Sequence, residues 1–391
     1  MKKTLILTLT LCLAGMLAAC GTASGQPANT PLTNTLSESA TGNPQTEQPI
    51  VASDLKPSEG LEFESNEDGT CTLVGIGICK DADLVIPTES PDGETLTVIE
   101  EDAFMGLEDV SSVTLLNGNY EVEDRAFQYG EMTEVHIIGG TPIIGDSAFS
   151  TCEDLTRITF QDCNVQLGEY AFLGCGKDAE VVFTNCTGTV DKYAFQYSDL
   201  ASLFIDQCDL NIAKSAFASC EALTAITFQN STLTAGEYAF FGVGDKAVVQ
   251  ADNCALTLDN WAFQYASLSA LTITGDKAEL GDAAFGSCED LTAVTIDCPT
   301  VTLGEYTFSG CDDLTTISIC DNGRKDNTIT IDNYAFQYNN KLASVTVGNG
   351  TVETGEYLFS GCPDDLSVSL AGKDHMTTPE GMRTHSFGVI Y

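Results

Sequence analysis

The stretch Leu155-Thr156-Arg157-Ile158-Thr159-Phe160-Gln161-Asp162-Cys163-Asn164-Val165-Gln166-Leu167-Gly168-Glu169-Tyr170-Ala171-Phe172 decides the reading of the whole chain. Its apolar residues Ile158 and Phe160, then Val165 and Leu167, alternate with polar ones, so two short extended segments each turn one face inward. Thr159 points outward between Ile158 and Phe160. Phe172 turns back into the core after Gly168-Glu169-Tyr170, and Ala171 is small enough for close packing at that bend. Phenylalanine recurs at this place at positions 104, 127, 149, 172, 195, 217, 240, 263, 285, 308, 336 and 359, at gaps of 22 or 23 with a single gap of 28. A unit this short cannot bury its own apolar face, so successive units must stack into a solenoid with one continuous core. The fold class predicted is mainly β, about 12 turns of short strands and short turn or helical segments, on the order of 60 Å long at strand spacing.

The segment from Leu155 to Leu167 follows the leucine-rich repeat pattern L-x-x-L-x-L-x-x-N/C-x-L. Many turns also carry a trailing motif: Cys152-Glu153-Asp154-Leu155, Cys288-Glu289-Asp290-Leu291 and Gly310-Cys311-Asp312-Asp313-Leu314. Together with the Ala-Phe pair, these make the chain resemble the BspA-type leucine-rich repeat family over residues 61–359. Gly75-Ile76-Gly77 followed by Leu84-Val85-Ile86-Pro87 resembles the segment that commonly opens such domains. The resemblance implies a secreted or surface protein, and some members of the family bind host matrix proteins or other bacteria.

A longer period overlies the first. Ala-Phe-Gln-Tyr begins at Ala126, Ala194 and Ala262, 68 residues apart, and again at Ala335. Gly-Glu-Tyr precedes Phe172, Phe240 and Phe308 at the same spacing, which points to growth by duplication of three-turn blocks. The extra residues between Phe308 and Phe336 fall near Asp321-Asn322-Gly323-Arg324-Lys325-Asp326, where a surface loop is expected.

Residues 1–19 begin Met1-Lys2-Lys3 and continue through an apolar run too short to stop transfer, the form of a secretory signal. Leu17-Ala18-Ala19-Cys20-Gly21 resembles the lipobox of bacterial lipoproteins. That resemblance implies cleavage before Cys20, lipidation of its thiol, and more than one acyl chain, as stable anchoring requires. Residues 20–60 are rich in Thr, Ser, Pro, Gln and Asn and read as a flexible tether, about 35 Å in root-mean-square span as a coil. Residues 61–100 alternate around Asp68-Gly69, a hairpin dipeptide, and read as an N-terminal β cap. The repeats are assigned to residues 101–372 and a C-terminal cap to 373–391, with an extracytoplasmic, lipid-anchored location.

The formal charge is −41, and removal of Lys2 and Lys3 with the leader makes it −43. Such a surface repels phosphate backbones, so nucleic acid is excluded as a partner. The three histidines, His136, His375 and His385, and the absence of any Cys-x-x-Cys leave no zinc pattern. No nucleophile elbow, phosphate loop or His-Glu-x-x-His occurs, so neither catalysis nor a cofactor is expected. Cys163, Cys186, Cys208 and Cys254 follow the repeat, with Ser231 at the missing rung, and read as reduced core fillers. Cys71 and Cys79 lie outside that pattern, and a bridge between them is left open.

Two surfaces are candidate binding sites. The first is the outward row of the strands, where His136, Thr159, Val182, Phe204, Thr227 and Gln250 would meet a protein on a host or bacterial surface. Within it, Val182 and Phe204 are apolar side chains expected to face water. The second is the aromatic column two residues before each phenylalanine, Tyr170 with Tyr193 and Tyr238 with Trp261. Neighbours there should touch ring to ring, and the rows are an alternative platform for glycans; a further alternative is a passive structural spacer with no ligand.

Overall fold

The computed structural model describes residues 49–370 and the backbone of Lys373–His375 and Gly388–Ile390. The signal segment 1–19, Cys20, the tether up to residue 48 and most of the C-terminal cap lie outside the described residues.

Alternation along the repeat produces two parallel ladders. In the major ladder, Ser112–Gly118 pairs with Glu134–Gly140, then Arg157–Gln161, Ala179–Thr184 and Leu200–Asp206, each step one turn of the solenoid. In the minor ladder, Asn164–Leu167 pairs with Thr187–Val190 and that strand with Asp209–Ile212. In two turns the pair of strands fuses into one long bent strand, Ala247–Leu258 and Leu268–Leu280. Leu84, Val113, Ile158, Val181 and Leu203 fill the interior from the major ladder, while Val165, Val190 and Leu210 meet them from the minor one. The major ladder runs to a thirteenth strand, Ser367–Leu370, because the chain starts one more turn after Phe359. The count of twelve recurring phenylalanines is thus one short of the turns.

Among the described residues there is no α-helix, only the 3-10 turn Ala52–Asp54. The expected turn or helical segments are turns, held by a third set of bonds between repeats. Phe127 N–H donates to Ala148 O at 2.7 Å, Tyr129 N–H to Ser150 O at 3.1 Å, and Arg125 N–H to Asp146 O at 3.1 Å, and other turns repeat the pattern. The residues two before and two after each phenylalanine sit at positive φ, as with Arg125 at 58° and Tyr129 at 62°. That alternation lets the bend present its amides along the stack instead of into solvent.

Phe104 to Phe359 form one unbroken ring stack inside the bend, with centroids 4.8 Å apart for Phe127 and Phe149 and 5.0 Å for Phe172 and Phe195. The widest step, 6.3 Å, is Phe308 to Phe336. It coincides with the long gap, whose residues 321–326 are an exposed loop between Thr316–Ile319 and Asn327–Ile331. Each buried ring is worth about 1.5–3 kcal/mol by area, and stacking adds to it.

At the N-terminal edge, Glu62–Ser65 and Thr70–Gly75 form an antiparallel hairpin around Asp68-Gly69, with Gly69 at φ 90°. Thr70–Gly75 also pairs in parallel with Thr95–Ile99 and so extends the minor ladder. Gly350–Thr354 and Ser367–Leu370 are closed by antiparallel pairing with Gly388–Ile390 and Lys373–His375.

One expectation is corrected here. Residues 49–60, read as tether, are packed on the solenoid. Ile50, Ala52 and Leu55, apolar in an otherwise polar segment, rest on Val85, Leu116 and Ile138 of the major ladder's outer side. Ser58 exchanges two bonds with Val85, from its N–H to Val85 O at 2.9 Å and from Val85 N–H to its Oγ at 3.1 Å. Residues 50–58 therefore cross the first four major strands as a strap.

Candidate functional site

The outward row of the major ladder is in strict register: His136 beside Thr159, then Val182, Phe204, Thr227 and Gln250. Its exposure is uneven. His136 is 8% exposed, Thr159 7% and Phe204 7%, so half of the predicted contact residues are buried. Val182 and Thr227 are half-buried and Gln250 is exposed. Phe204, expected to face water, does not; it stands in register between Val182 and Thr227, outside the main core. His136 meets Glu134 Oε2 at 3.0 Å through Nε2. The strap ends beside this row, where Gln161 Nε2 donates to Ile50 O at 3.1 Å and Ile50 N–H donates to Gln161 Oε1 at 3.0 Å. Beyond the strap, Val182, Thr227 and Gln250 are the members of the row that keep exposure, with Phe204 buried among them.

The aromatic column is real but broken. Tyr170 stacks on Tyr193 at 5.2 Å and Tyr238 on Trp261 at 5.3 Å, while Tyr306, Tyr334 and Tyr357 make a triple at 5.1 and 5.3 Å. Ser215 and Ala283 occupy the same left-handed position in the intervening turns and interrupt the column. Interplanar angles of 7° to 11° mean that each ring spends a face on its neighbour. The column is laced by Lys192 to Glu169 at 2.9 Å and Lys214 to Glu237 at 2.8 Å, with Lys214 Nζ also 5.2 Å from the Tyr238 ring centre. Its ring faces are mostly committed to structure.

A second aromatic row is not among the residues singled out above. Tyr129, Tyr197, Tyr265 and Tyr338, the last residues of Ala-Phe-Gln-Tyr, are 54%, 66%, 59% and 57% exposed. Each has φ between 58° and 62°, a region that costs a residue other than glycine about 1–2 kcal/mol. Gly106, Gly174, Gly242, Gly310 and Gly361 fill the same position in other turns, and Thr151, Ser219 and Ser287 fill the rest. The 68-residue spacing of Ala-Phe-Gln-Tyr was the available signal. Beside Tyr265 lies an open groove of about 730 Å³ lined by Asp178, Glu221, Asp245, Gly242 and Gly244 among others.

All fourteen cysteines of the described residues are buried, and Cys71 and Cys79 are free thiols with no bridge between them. They divide by role. Three residues after the phenylalanine, a thiol caps the phenylalanine carbonyl of the preceding turn: Cys175 Sγ lies 2.8 Å from Phe149 O and Cys220 Sγ 3.1 Å from Phe195 O. Burial pushes Cys220 and Cys311 up to about 12. In the minor-ladder corner, Cys163 and Cys186 sulfurs lie 3.5 Å apart, and hydrogen bonding to Cys186 together with burial pushes Cys163 and Cys208 well up. Cys163, Cys208, Cys220 and Cys311 are thus protonated fillers rather than nucleophiles, whereas hydrogen bonds from Cys163 and Cys208 pull Cys186 the other way. Among the described residues no group of three or more His, Cys, Asp or Glu side chains is placed to hold a metal ion. No helix among them is long and apolar enough to cross a membrane.

A parallel β coil with one leucine-pattern strand per turn and a stacked phenylalanine spine defines a leucine-rich repeat scaffold. The chain belongs to the BspA-type leucine-rich repeat family: residues 89–201, 210–325 and 322–371 match the BspA type Leucine rich repeat region, in six copies. Among solved structures it is similar to a leucine-rich repeat protein from Bacteroides ovatus, with 18% identity over 79% of this chain and 93% of that one, at a TM-score of 0.35. A leucine-rich cell surface protein from Faecalibacterium prausnitzii shows 18% identity over 85% and 99%, at a TM-score of 0.30. A leucine-rich repeat protein from Eubacterium ventriosum shows 14% over 85% and 98%, at 0.31. No curated protein matches significantly.

Proposed function

We propose that the protein is a cell-surface binding scaffold, anchored by lipid on Cys20, that adheres to a protein on a host or bacterial surface and performs no catalysis. Residues 21–48 would act as the free part of the tether, and the repeats as the recognition body. The observation that carries the reading is the graded outer row. The strap covers Val85, Leu116 and Ile138 in the first turns, whereas farther along, past the buried Phe204, Thr227 is half-buried and Gln250 exposed in strict register. An in-register row that presents Thr227 and Gln250 offers shape and hydrogen bonds to a protein surface. The glycan alternative on Tyr170, Tyr193, Tyr238 and Trp261 ranks second, because their ring faces are engaged with one another.

The test is a titration of a matrix-protein panel and a glycan array against the full chain. Protein binding weakened roughly tenfold by Thr227→Lys with Gln250→Lys supports the reading. Binding to sugars alone, lost in Trp261→Ala, overturns it. Separately, Cys20→Ser should move the protein from the membrane fraction to the medium; retention at the membrane refutes the anchor.

A further inference from the structure

We propose that Tyr129, Tyr197, Tyr265 and Tyr338 form a second docking surface, on the bend side of the solenoid, for an extended polypeptide segment rich in lysine and arginine. Folding gives no reason for these tyrosines. An added Cβ at Gly106, Gly174 or Gly242, which hold the same place in other turns, would meet nothing within 4 Å, whereas at Gly361 it would meet the ring of Tyr338, which leans over that turn. The position is therefore open to solvent on one side, and a tyrosine there gains little burial. Tyr265 meets Phe241 edge to face at 5.6 Å and still keeps 59% of its surface exposed. A backbone conformation that suits glycine nonetheless carries a large ring at every third turn.

The spacing fits a linear ligand. The amide at this position donates to the next turn throughout, as from Tyr197 to Ala218 O, Ser219 to Phe241 O and Gly242 to Gln264 O, so the four tyrosines stand on one ladder. They are three steps apart, about 14 Å, and the row spans about 43 Å. An extended chain covers that distance in roughly 13 residues.

Charge selects the chemistry. Glu131 follows Tyr129, Asp199 follows Tyr197 and Lys341 follows Tyr338, while the same loop in intervening turns carries Glu108, Asp109, Glu153, Asp154, Asp312 and Asp313 against Lys177 and Lys246. In the groove beside Tyr265, Asp178, Glu221 and Asp245 are all exposed. A ring face flanked by carboxylates recognises ammonium and guanidinium groups, through cation–π attraction and charge-assisted hydrogen bonds together. Anionic polymers are repelled by the same surface.

The experiment titrates the full chain, by fluorescence anisotropy at ~150 mM salt, with a labelled peptide of about 16 residues alternating Lys or Arg with Ser, long enough to span the row. Comparison ligands are the same peptide with Glu for the basic residues, a basic peptide of about four residues, too short to bridge two tyrosines, and a soluble chito-oligosaccharide. Binding of the long basic peptide should exceed that of the short one at least about tenfold, as multivalency requires. It should weaken about tenfold when Tyr129→Gly, Tyr197→Gly, Tyr265→Gly and Tyr338→Gly are combined, with the unfolding midpoint unchanged. The serine versions of the four should behave alike, since Ser219 and Ser287 already occupy the position. Equal binding to wild type and the glycine variant would reduce the effect to a general acidic coat and overturn the proposal. So would tyrosine-dependent binding of the sugar, or unfolding of both variants. Thr227→Lys with Gln250→Lys leaves this peptide's binding intact, which separates failure here from failure of the outer-row reading.

Discussion

Gln161 and Ile50, 111 positions apart, are joined by a reciprocal pair of hydrogen bonds in which one side-chain amide satisfies both backbone groups of the other residue. This is the arrangement of a strand partner, supplied by a side chain at the end of strand 157–161, whose own backbone is paired on both edges. It pins the end of the strap across four turns.

Gln161→Ala should free that end without disturbing the stack. Removing two modest hydrogen bonds is worth about 1–3 kcal/mol locally. Hydrogen exchange should therefore show the Ile50 amide losing protection while Ser58, held to Val85 O, keeps it. Loss of protection throughout the repeats would contradict a strap that is energetically separate from the spine.

The thiols that cap phenylalanine carbonyls are replaceable by a hydroxyl, because Ser198 Oγ already does this at 2.7 Å from Phe172 O. Cys175→Ser should leave stability within about 1 kcal/mol of wild type, whereas Cys175→Ala should cost about 1–2 kcal/mol through an uncapped carbonyl and a small cavity. Denaturant unfolding measures both. Equal costs for serine and alanine would show that volume alone matters.

Alkylation of the unfolded, unreduced protein should modify all fourteen cysteines of the described part, Cys71 and Cys79 among them. In the native state the reaction should stay slow. Burial holds Cys220 and Cys311 protonated up to about 12, while an unfolded thiol titrates near 9.0. Above that lower value the native chain binds more protons than the unfolded one. Stability should accordingly fall as pH rises from about 9 to 12, and be insensitive to these groups below it. A melting temperature that rises across that range would refute the assignment.

Phe217 stacks between Phe195 at 4.8 Å and Phe240 at 5.3 Å, fully buried. Phe217→Ala should cost about 3–5 kcal/mol and split the cooperative unfolding of the turns on either side. Tyr197→Gly, two residues beyond the preceding phenylalanine Phe195, should cost less than about 1 kcal/mol, because glycine relieves the left-handed backbone. Calorimetry distinguishes a central spine residue from an exposed one by that contrast.

Much of the fold was legible from one turn. Ile158 and Phe160 point in as alternation requires, Phe172 closes the bend, and the hairpin at Asp68-Gly69 and the loop at 321–326 stand where turn chemistry and the long gap put them. The site was legible only in part. Phe204 has the pattern of an outward residue and is nonetheless buried, and Tyr129 belongs to a motif whose phenylalanine drew attention away from the exposed ring beside it.

The amino-acid sequence alone determined the period, the inward and outward faces of each strand and the column in which each side chain stacks. It could do so because every repeat touches chiefly its neighbours, and nearest-neighbour contacts leave a repeating signature. Tertiary structure decided which outward residues remain available. Ile50, Ala52 and Leu55 cover Val85, Leu116 and Ile138 from a segment that lies outside the period, and so the repeat itself carries no record of that contact.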